Sequence, residues 1–131
     1  MLINFKVSNF LSFRDEQNFS MIALKKFKEL SDNFFSVEND LSILKTASLF
    51  GTNGSGKSNL FVAIQFMRQT VLSPFRDSDT TLPEKYFKLN PKYQEKDSVL
   101  EITFFSENKL VKYAFGMGRE QINSEQLFID E

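Results

Sequence analysis

The stretch that most constrains this chain is an octapeptide rich in glycine and small polar residues that ends in lysine and serine. It consists of Gly51, Thr52, Asn53, Gly54, Ser55, Gly56, Lys57 and Ser58. These residues match G-x-x-x-x-G-K-S, the pattern of a phosphate-binding loop or P-loop, at every defined position. The pattern has a structural meaning only when a strand precedes the loop and a helix follows it.

The residues on both sides of the loop have the required patterns. Residues 43–50 are mainly apolar, which predicts a buried strand. Residues 59–72 predict a helix, and its apolar face, packed over a sheet, is expected to carry Leu60, Ile64, Met67 and Val71. The octapeptide is therefore predicted to be a true P-loop, and the alternative is a surface loop that fits the pattern by chance.

Each position of the loop has a chemical reason. Glycine at positions 51, 54 and 56 lets the backbone bend tightly, so that its N–H groups converge on phosphate oxygens. The start of the helix adds unpaired amides and the positive end of its dipole. Lys57 is predicted to reach the terminal phosphates, and the Ser58 hydroxyl to bind Mg²⁺. Together with Asn59, these residues form the predicted site for a nucleotide, ATP.

Composition limits the other chemistry available to the chain. Its 131 residues suffice for one domain, and 41% hydrophobic with 25% charged residues is typical of a globular protein. There is no cysteine and no histidine. Disulfides, thiolate metal sites and a Ser-His-Asp triad are therefore excluded within this chain.

The charge does not favour a nucleic-acid partner. The net charge is −1, whereas nucleic-acid-binding domains are usually basic. Lys25, Lys26 and Lys28 form a local basic cluster that could contact a phosphate backbone. Because Glu29 and Asp32 lie close by, we interpret the cluster as a solvated polar face.

The N-terminal residues lack the apolar core of a signal peptide, and no apolar run is long enough for a membrane span. A cytoplasmic protein without a membrane partner is expected.

Alternating residues predict a sheet on either side of the P-loop unit. Ile3, Phe5 and Val7 alternate with polar residues, and residues 100–104 and 111–115 have the pattern of a β-hairpin. A further strand is predicted at residues 125–129. A nucleotide kinase or small GTPase would continue with alternating helices and parallel strands. The predicted fold class is therefore α/β, a P-loop NTPase core that carries an antiparallel β layer.

Two segments resemble a known family. Residues 3–13 (INFKVSNFLSF) and residues 49–60 (LFGTNGSGKSNL) resemble the ABC-type ATPase heads of the SMC, RecF and OLD-like group, in particular bacterial AAA family ATPases. The resemblance implies ATP and Mg²⁺ binding, a homodimer or head-to-head dimer of the full-length protein, and a role in phage defence or DNA repair. It also implies that the loop after the first strand, with Ser12, Phe13 and Arg14, borders the nucleotide.

Arg14 has a second interpretation. Its guanidinium could contact the phosphates, or it could pair with Asp15 or Glu16 at the surface while Phe13 belongs to the core. The two interpretations predict different effects of Arg14→Ala on ATP affinity.

Heads of this type also carry a signature motif, a Walker B strand and usually a switch histidine. The chain has no signature motif and no histidine. Residues 1–131 are therefore expected to be the N-terminal lobe of a longer ATPase, whose hydrolysis needs a C-terminal lobe and the facing subunit of a dimer.

The end of the sequence offers two candidates for catalysis. Apolar residues are followed by Asp130 and Glu131, as in a Walker B strand, where the two carboxylates would hold Mg²⁺ through water and activate the attacking water. The alternative is an outer strand of the β layer with a polar end. Two further functions stay open, a self-sufficient small NTPase or kinase using this pair, and a non-catalytic interaction module that uses the P-loop as a switch.

Overall fold

The structure, a computed structural model, describes residues 1–24, 31–37, 41–72 and 84–130. The strands are β1 (Leu2–Ser8), β2 (Gln17–Ser20), β3 (Phe34–Val37), β4 (Leu41–Leu44), β5 (Ser98–Ser106), β6 (Lys109–Met117) and β7 (Ile122–Asp130). The described residues contain one α-helix, α1 (Lys57–Leu72), and two 3-10 turns, Ser31–Asn33 and Pro91–Tyr93. Lys25, Lys26, Lys28 and Glu131 lie outside the described residues.

Five strands form one antiparallel sheet in the order β2-β1-β5-β6-β7. The alternation in β1 buries Ile3, Phe5 and Val7 on the same side of the sheet, as the sequence predicts. On the opposite side, the Glu101 carboxylate lies 3.4 Å from the Lys6 ammonium and 3.0 Å from that of Lys112. One face of the sheet is thus apolar and the other carries charged pairs.

The predicted hairpin and the predicted last strand are confirmed. β5 and β6 pair from Ser98 and Met117 to Ser106 and Lys109, and they are joined by Glu107 and Asn108. Both joining residues have positive φ, 50° and 60°, as a two-residue type I′ turn requires. β7 then pairs with β6 from Ile122 to Asp130, with a register shift between Gly116 and Met117, and it forms the edge of the sheet.

Helix α1 packs against the apolar face of the sheet. It buries Ala63, Phe66, Met67 and Thr70, and the Phe66 ring centroid lies 5.4 Å from that of Phe10 and 6.5 Å from that of Phe115. The helix and its packing on a sheet are confirmed, but the predicted apolar face was partly wrong. Val71 is 51% exposed. Phe66 packs against the rings of Phe10 and Phe115, and the face of the helix that lies against the sheet is therefore a neighbouring one.

The strand predicted at residues 43–50 is wrong in extent. β4 ends at Leu44, where its pairing with Phe34 of β3 also ends. Residues 46–50 have no strand assignment and are exposed, with Phe50 92% accessible. A strand exists only where a neighbour pairs with its backbone, and within the described residues none pairs with this segment.

Strands β3 and β4 pack against the apolar face of the large sheet, the face that α1 also covers. Ile43 is fully buried with Ile3 and Met21 in a second apolar cluster, separate from the one under α1. The antiparallel β layer of the predicted fold class is therefore present, and the composition of one helix with sheets is compatible with an α/β fold. The described residues do not form the predicted parallel P-loop core.

No helix in the described ranges has the length and apolarity to cross a lipid bilayer.

Candidate functional site

The P-loop lies between the exposed residues 46–50 and the first turn of α1. Gly54 and Gly56 have φ values of +81° and +89°, a left-handed region that side chains with a Cβ rarely occupy. A Cβ on Gly56 would also lie 3.2 Å from Ser12 Oγ and 3.3 Å from Phe13 Cε1. The predicted need for glycine is confirmed at these two positions, and the second one is in contact with the loop that follows β1.

The Lys57 ammonium lies inside the curve of the loop. Its Nζ donates hydrogen bonds to the carbonyl oxygens of Gly51 and Thr52, each at 2.7 Å, and to Ser55 Oγ at 3.3 Å. The loop backbone therefore wraps around the positive charge that the P-loop pattern assigns to the terminal phosphates. Because these contacts are exposed, phosphate oxygens can approach the ammonium from solvent.

Ser58 and Asn59 follow in the first turn of α1 and have different surroundings. Ser58 is exposed at the second position of the helix, with its hydroxyl available as a metal ligand. Asn59 is half-buried, and its Nδ2 donates a hydrogen bond of 2.8 Å to Ser12 Oγ. The structure thus places the Asn59 side chain against the loop after β1.

That loop is a tight turn, residues 9–14, which we call the β1–β2 turn. The amides of Phe10 and Phe13 donate to each other's carbonyls at 2.9 and 2.8 Å, and Leu11 has a φ of +49°. Phe10 is fully buried against α1, whereas Phe13 is half-buried beside the P-loop. The turn therefore has a base fixed in the core and a tip, Ser12 and Phe13, that touches Gly56.

Asn9 holds the base of the turn. It is 3% exposed with a φ of +48°, a conformation that asparagine tolerates better than most residues. Its Nδ2 donates to the carbonyls of Tyr93 and Lys96 at 2.9 and 2.8 Å, and its Oδ1 accepts from the Phe87 amide at 2.9 Å. One buried amide thus joins the turn to the segment before β5.

Arg14 pairs with Asp15 at the edge of the turn. The guanidinium lies 2.7 Å from the Asp15 carboxylate, and both side chains are more than half exposed. The hydrogen bond from Arg14 holds the pKa of Asp15 below its usual value, and the same bond raises the pKa of Arg14. The surface pair that the sequence offers as one interpretation is present, although Arg14 also lines a cleft with Gly54 and Ser55.

Among the described residues, two solvent-open clefts border the P-loop, and Phe13 lines both. The first, of about 330 Å³, lies between the turn, β2 and the P-loop. Its lining comprises Phe13, Gln17, Asn18, Phe19, Leu49, Phe50, Gly51, Ser55, Gly56, Lys57 and Leu60. The second, of about 440 Å³, is lined by Ser12, Phe13, Arg14, Asp15, Gln17, Gly54, Ser55 and Phe87. Both volumes are in the range of small-ligand sites, and the first combines the Lys57 charge with an apolar wall.

Asp130 lies at the end of β7, opposite Leu110 of β6. β7 is the edge strand of an antiparallel sheet, whereas a Walker B strand lies parallel to the strand before the P-loop. This placement favours the outer-strand interpretation of residues 125–130. Glu131, its predicted companion, lies outside the described residues.

Sequence reasoning did not identify Asn9 or the cleft residues of β2, Gln17, Asn18 and Phe19. The position of Asn9 directly after an alternating strand was an available signal, because asparagine favours positive φ at the end of a strand. The β2 residues carry no such signal, since their role depends on which strand lies beside the P-loop.

The residues that the structure describes contain no group of three or more His, Cys, Asp or Glu side chains that could hold a metal ion. A magnesium ion at the P-loop does not need such a group, because Mg²⁺ keeps several waters and takes one or two protein oxygens with the phosphates. The exposed Ser58 hydroxyl fits that requirement.

Residues 47–131, which include the P-loop, α1 and strands β5 to β7, match a family described as AAA domain, putative AbiEii toxin, Type IV TA system. The match covers more than half of the chain. A comparison with curated proteins finds no match.

Proposed function

Because the chain belongs to the AAA domain family described as putative AbiEii toxin, we propose that it is the ATP-binding lobe of an ABC/SMC-like ATPase head. Membership makes the chain an AAA-type, P-loop ATPase-like domain. The proposal goes further in naming ATP with Mg²⁺ as the ligands, a dimer of heads as the working assembly, and the cytoplasm as the location. Phage defence or DNA repair is the proposed setting.

The observation that carries the proposal is the curve of the loop around the Lys57 ammonium. Three oxygen acceptors hold this charge inside the curve of the loop, and Lys57 itself begins a helix whose first amides are unpaired. A triphosphate supplies the negative charge that this arrangement lacks. Its β- and γ-oxygens would take over the bonds from Lys57, while the loop amides of residues 51–56 would donate to the others.

Ser58 is the residue that would hold the magnesium ion, with water and phosphate oxygens as the remaining ligands. When bound, the ion neutralises charge that develops on the phosphates. Among this chain's own residues, Gly51, Thr52, Asn53, Gly54, Ser55, Gly56, Lys57 and Ser58 bind the phosphates and the metal, and the tip of the β1–β2 turn covers one side. We propose Arg14 as a weaker contact to the same ligand.

Hydrolysis is proposed to require residues from a C-terminal lobe and from the facing head. The proposal rests on the absence of histidine and of a signature motif from the sequence, and the edge position of Asp130 adds support. Binding without appreciable turnover is the expected behaviour of residues 1–131. Steady phosphate release that disappears in Glu131→Gln would instead favour a self-sufficient NTPase.

Lys57→Ala tests the binding proposal. We expect ATP affinity to fall at least about tenfold, because the variant loses the charge-assisted bonds to the terminal phosphates, which are worth roughly 1.5–3 kcal/mol. Calorimetric titration with Mg²⁺-ATP measures the effect. Lys92→Ala is the matched control, since Lys92 is an exposed lysine on the turn Pro91–Tyr93. Equal affinities of the wild type and Lys57→Ala would refute the assignment.

A further inference from the structure

The P-loop helix and the β1–β2 turn are joined by one side-chain hydrogen bond. Asn59 Nδ2, in the first turn of α1, donates to Ser12 Oγ at the tip of the turn at 2.8 Å. Asn59 follows Ser58 directly, so that this bond begins one residue after the proposed metal ligand. It links two segments that are 47 residues apart in the chain.

The base and the tip of the turn are held differently. At the base, Phe10 is fully buried and packs its ring 5.4 Å from that of Phe66. At the tip, Ser12 is exposed, and Phe13 approaches the position where a Gly56 Cβ would be. The core therefore fixes where the turn begins, and the bond from Asn59 restrains where its tip lies.

The position of the tip sets the shape of the proposed site. Phe13 lines the cleft that also contains Lys57, and it lines the neighbouring cleft that contains Gly54. In the first cleft, Phe13 belongs to an apolar wall with Phe19 and Phe50, whereas the P-loop offers backbone amides and the Lys57 charge. A nucleotide with its phosphates in the loop would therefore place its nucleoside part toward this wall.

We propose that Asn59 is a positioning residue that acts through Ser12, holding the tip of the turn as a wall for the nucleoside part of the ligand. This inference rests on the proposed function. It differs from a direct contact between Asn59 and the ligand, because the Asn59 side chain donates to Ser12. Loss of the bond frees the tip and loosens the wall, while the phosphate-binding backbone keeps its shape.

The test compares ATP with inorganic tripolyphosphate, which has the phosphate chain and no nucleoside. Calorimetric titrations are made with the wild type, Asn59→Ala, Ser12→Ala and the double variant. Gln65→Ala is the control, since Gln65 is an exposed amide on the same helix. Asn59→Ala is expected to weaken ATP by about threefold to tenfold, the effect of one hydrogen bond, and tripolyphosphate by less than about twofold.

Ser12→Ala should reproduce this selective loss, and the double variant should bind ATP no more weakly than the weaker single variant, because both substitutions remove the same bond. Equal losses for ATP and tripolyphosphate, additive losses in the double variant, or an unchanged ATP affinity in Asn59→Ala would each overturn the inference. If Asn59→Ala does not fold, Ser12→Ala decides alone, since it changes an exposed side chain. A wild type that fails to bind ATP would refute the proposed function itself.

Discussion

The sheet from β5 to β7 and the segment that leads into the P-loop differ in how much of their structure their own residues determine. Strands β5, β6 and β7 are each nine residues long, and β6 pairs with both of the others. Residues 46–50 have a comparably apolar sequence, yet they form no strand and are exposed. The two regions therefore show that an apolar, strand-like sequence forms a strand where a neighbouring strand pairs with it and stays irregular where none does.

The difference has a physical cause. In a hairpin, the strand that pairs with the first one follows it directly in the chain. Here a two-residue turn at Glu107 and Asn108 reverses the chain and fixes the register. A strand in a parallel core needs neighbours that arrive through long crossover connections. Residues 46–50 meet no such neighbour in the described ranges, so their backbone groups face solvent, where water can satisfy them.

Two phenylalanines make the comparison quantitative. Phe115 of β6 is 1% exposed and packs against Phe66 of α1, whereas Phe50 is 92% exposed. Phe115→Ala is expected to lower the free energy of unfolding by roughly 3–5 kcal/mol through lost burial and a cavity. Phe50→Ala should change it by less than about 0.5 kcal/mol. Urea denaturation followed by circular dichroism measures both.

A large loss in Phe50→Ala would break the comparison, since it would mean that this ring is covered in solution. Dilution separates the two ways in which that could happen. A loss that depends on protein concentration indicates a cover from a second copy of the chain, and a loss that does not depend on it indicates packing within one chain.

The same distinction explains how much could be predicted from the sequence. Alternation at Ile3, Phe5 and Val7 predicted β1, and the P-loop pattern predicted the loop and α1, because both signals are local. The face of α1 was predicted less well, since Phe10 of the β1–β2 turn and Phe115 of β6 determine where Phe66 packs.

The candidate site also has a part that could be predicted from local sequence and a part that depends on distant residues. The conformations of Gly54 and Gly56 follow from the motif itself, because the pattern requires a loop that only residues without a Cβ adopt easily. The contact between Asn59 and Ser12 could not be predicted, since it depends on where the β1–β2 turn lies relative to α1.

Asn9 links the β1–β2 turn to the segment before β5 and should have the next largest effect. Asn9→Ala removes the acceptor of the Phe87 amide and a donor to the carbonyls of Tyr93 and Lys96, and it places a Cβ-bearing residue without a polar side chain at positive φ. We expect a loss of roughly 2–3 kcal/mol in the free energy of unfolding, measured by urea denaturation.

Asn9→Gly is the matched variant, because it suits the positive φ but also lacks the amide. It should lose nearly as much as Asn9→Ala if the hydrogen bonds dominate, and much less if the backbone conformation dominates. Full stability in both variants would contradict the role of Asn9 as the link between the turn and the segment before β5.

The smallest effect is expected within the sheet, at the pair between Tyr113 of β6 and Glu125 of β7. The phenol donates a hydrogen bond of 2.7 Å to the Glu125 carboxylate, and burial followed by this bond raises the pKa of Tyr113 to about 12. An unfolded tyrosine ionises near pH 10. Below that pH both states keep the proton, so the contribution of the pair to stability is fully present. As the pH rises from about 10 to about 12, the unfolded state ionises first and this contribution is lost.

A spectrophotometric titration of tyrosinate measures this pKa, since Tyr113 ionises in a late step near pH 12. Glu125→Gln should lower the pKa of Tyr113, because a neutral acceptor no longer repels the phenolate. Tyr113→Phe should abolish the late step. A wild type without a late step, or a late step unchanged in Glu125→Gln, would show that β7 does not hold this pair against β6, and the sheet would then be less self-sufficient than the comparison with residues 46–50 requires.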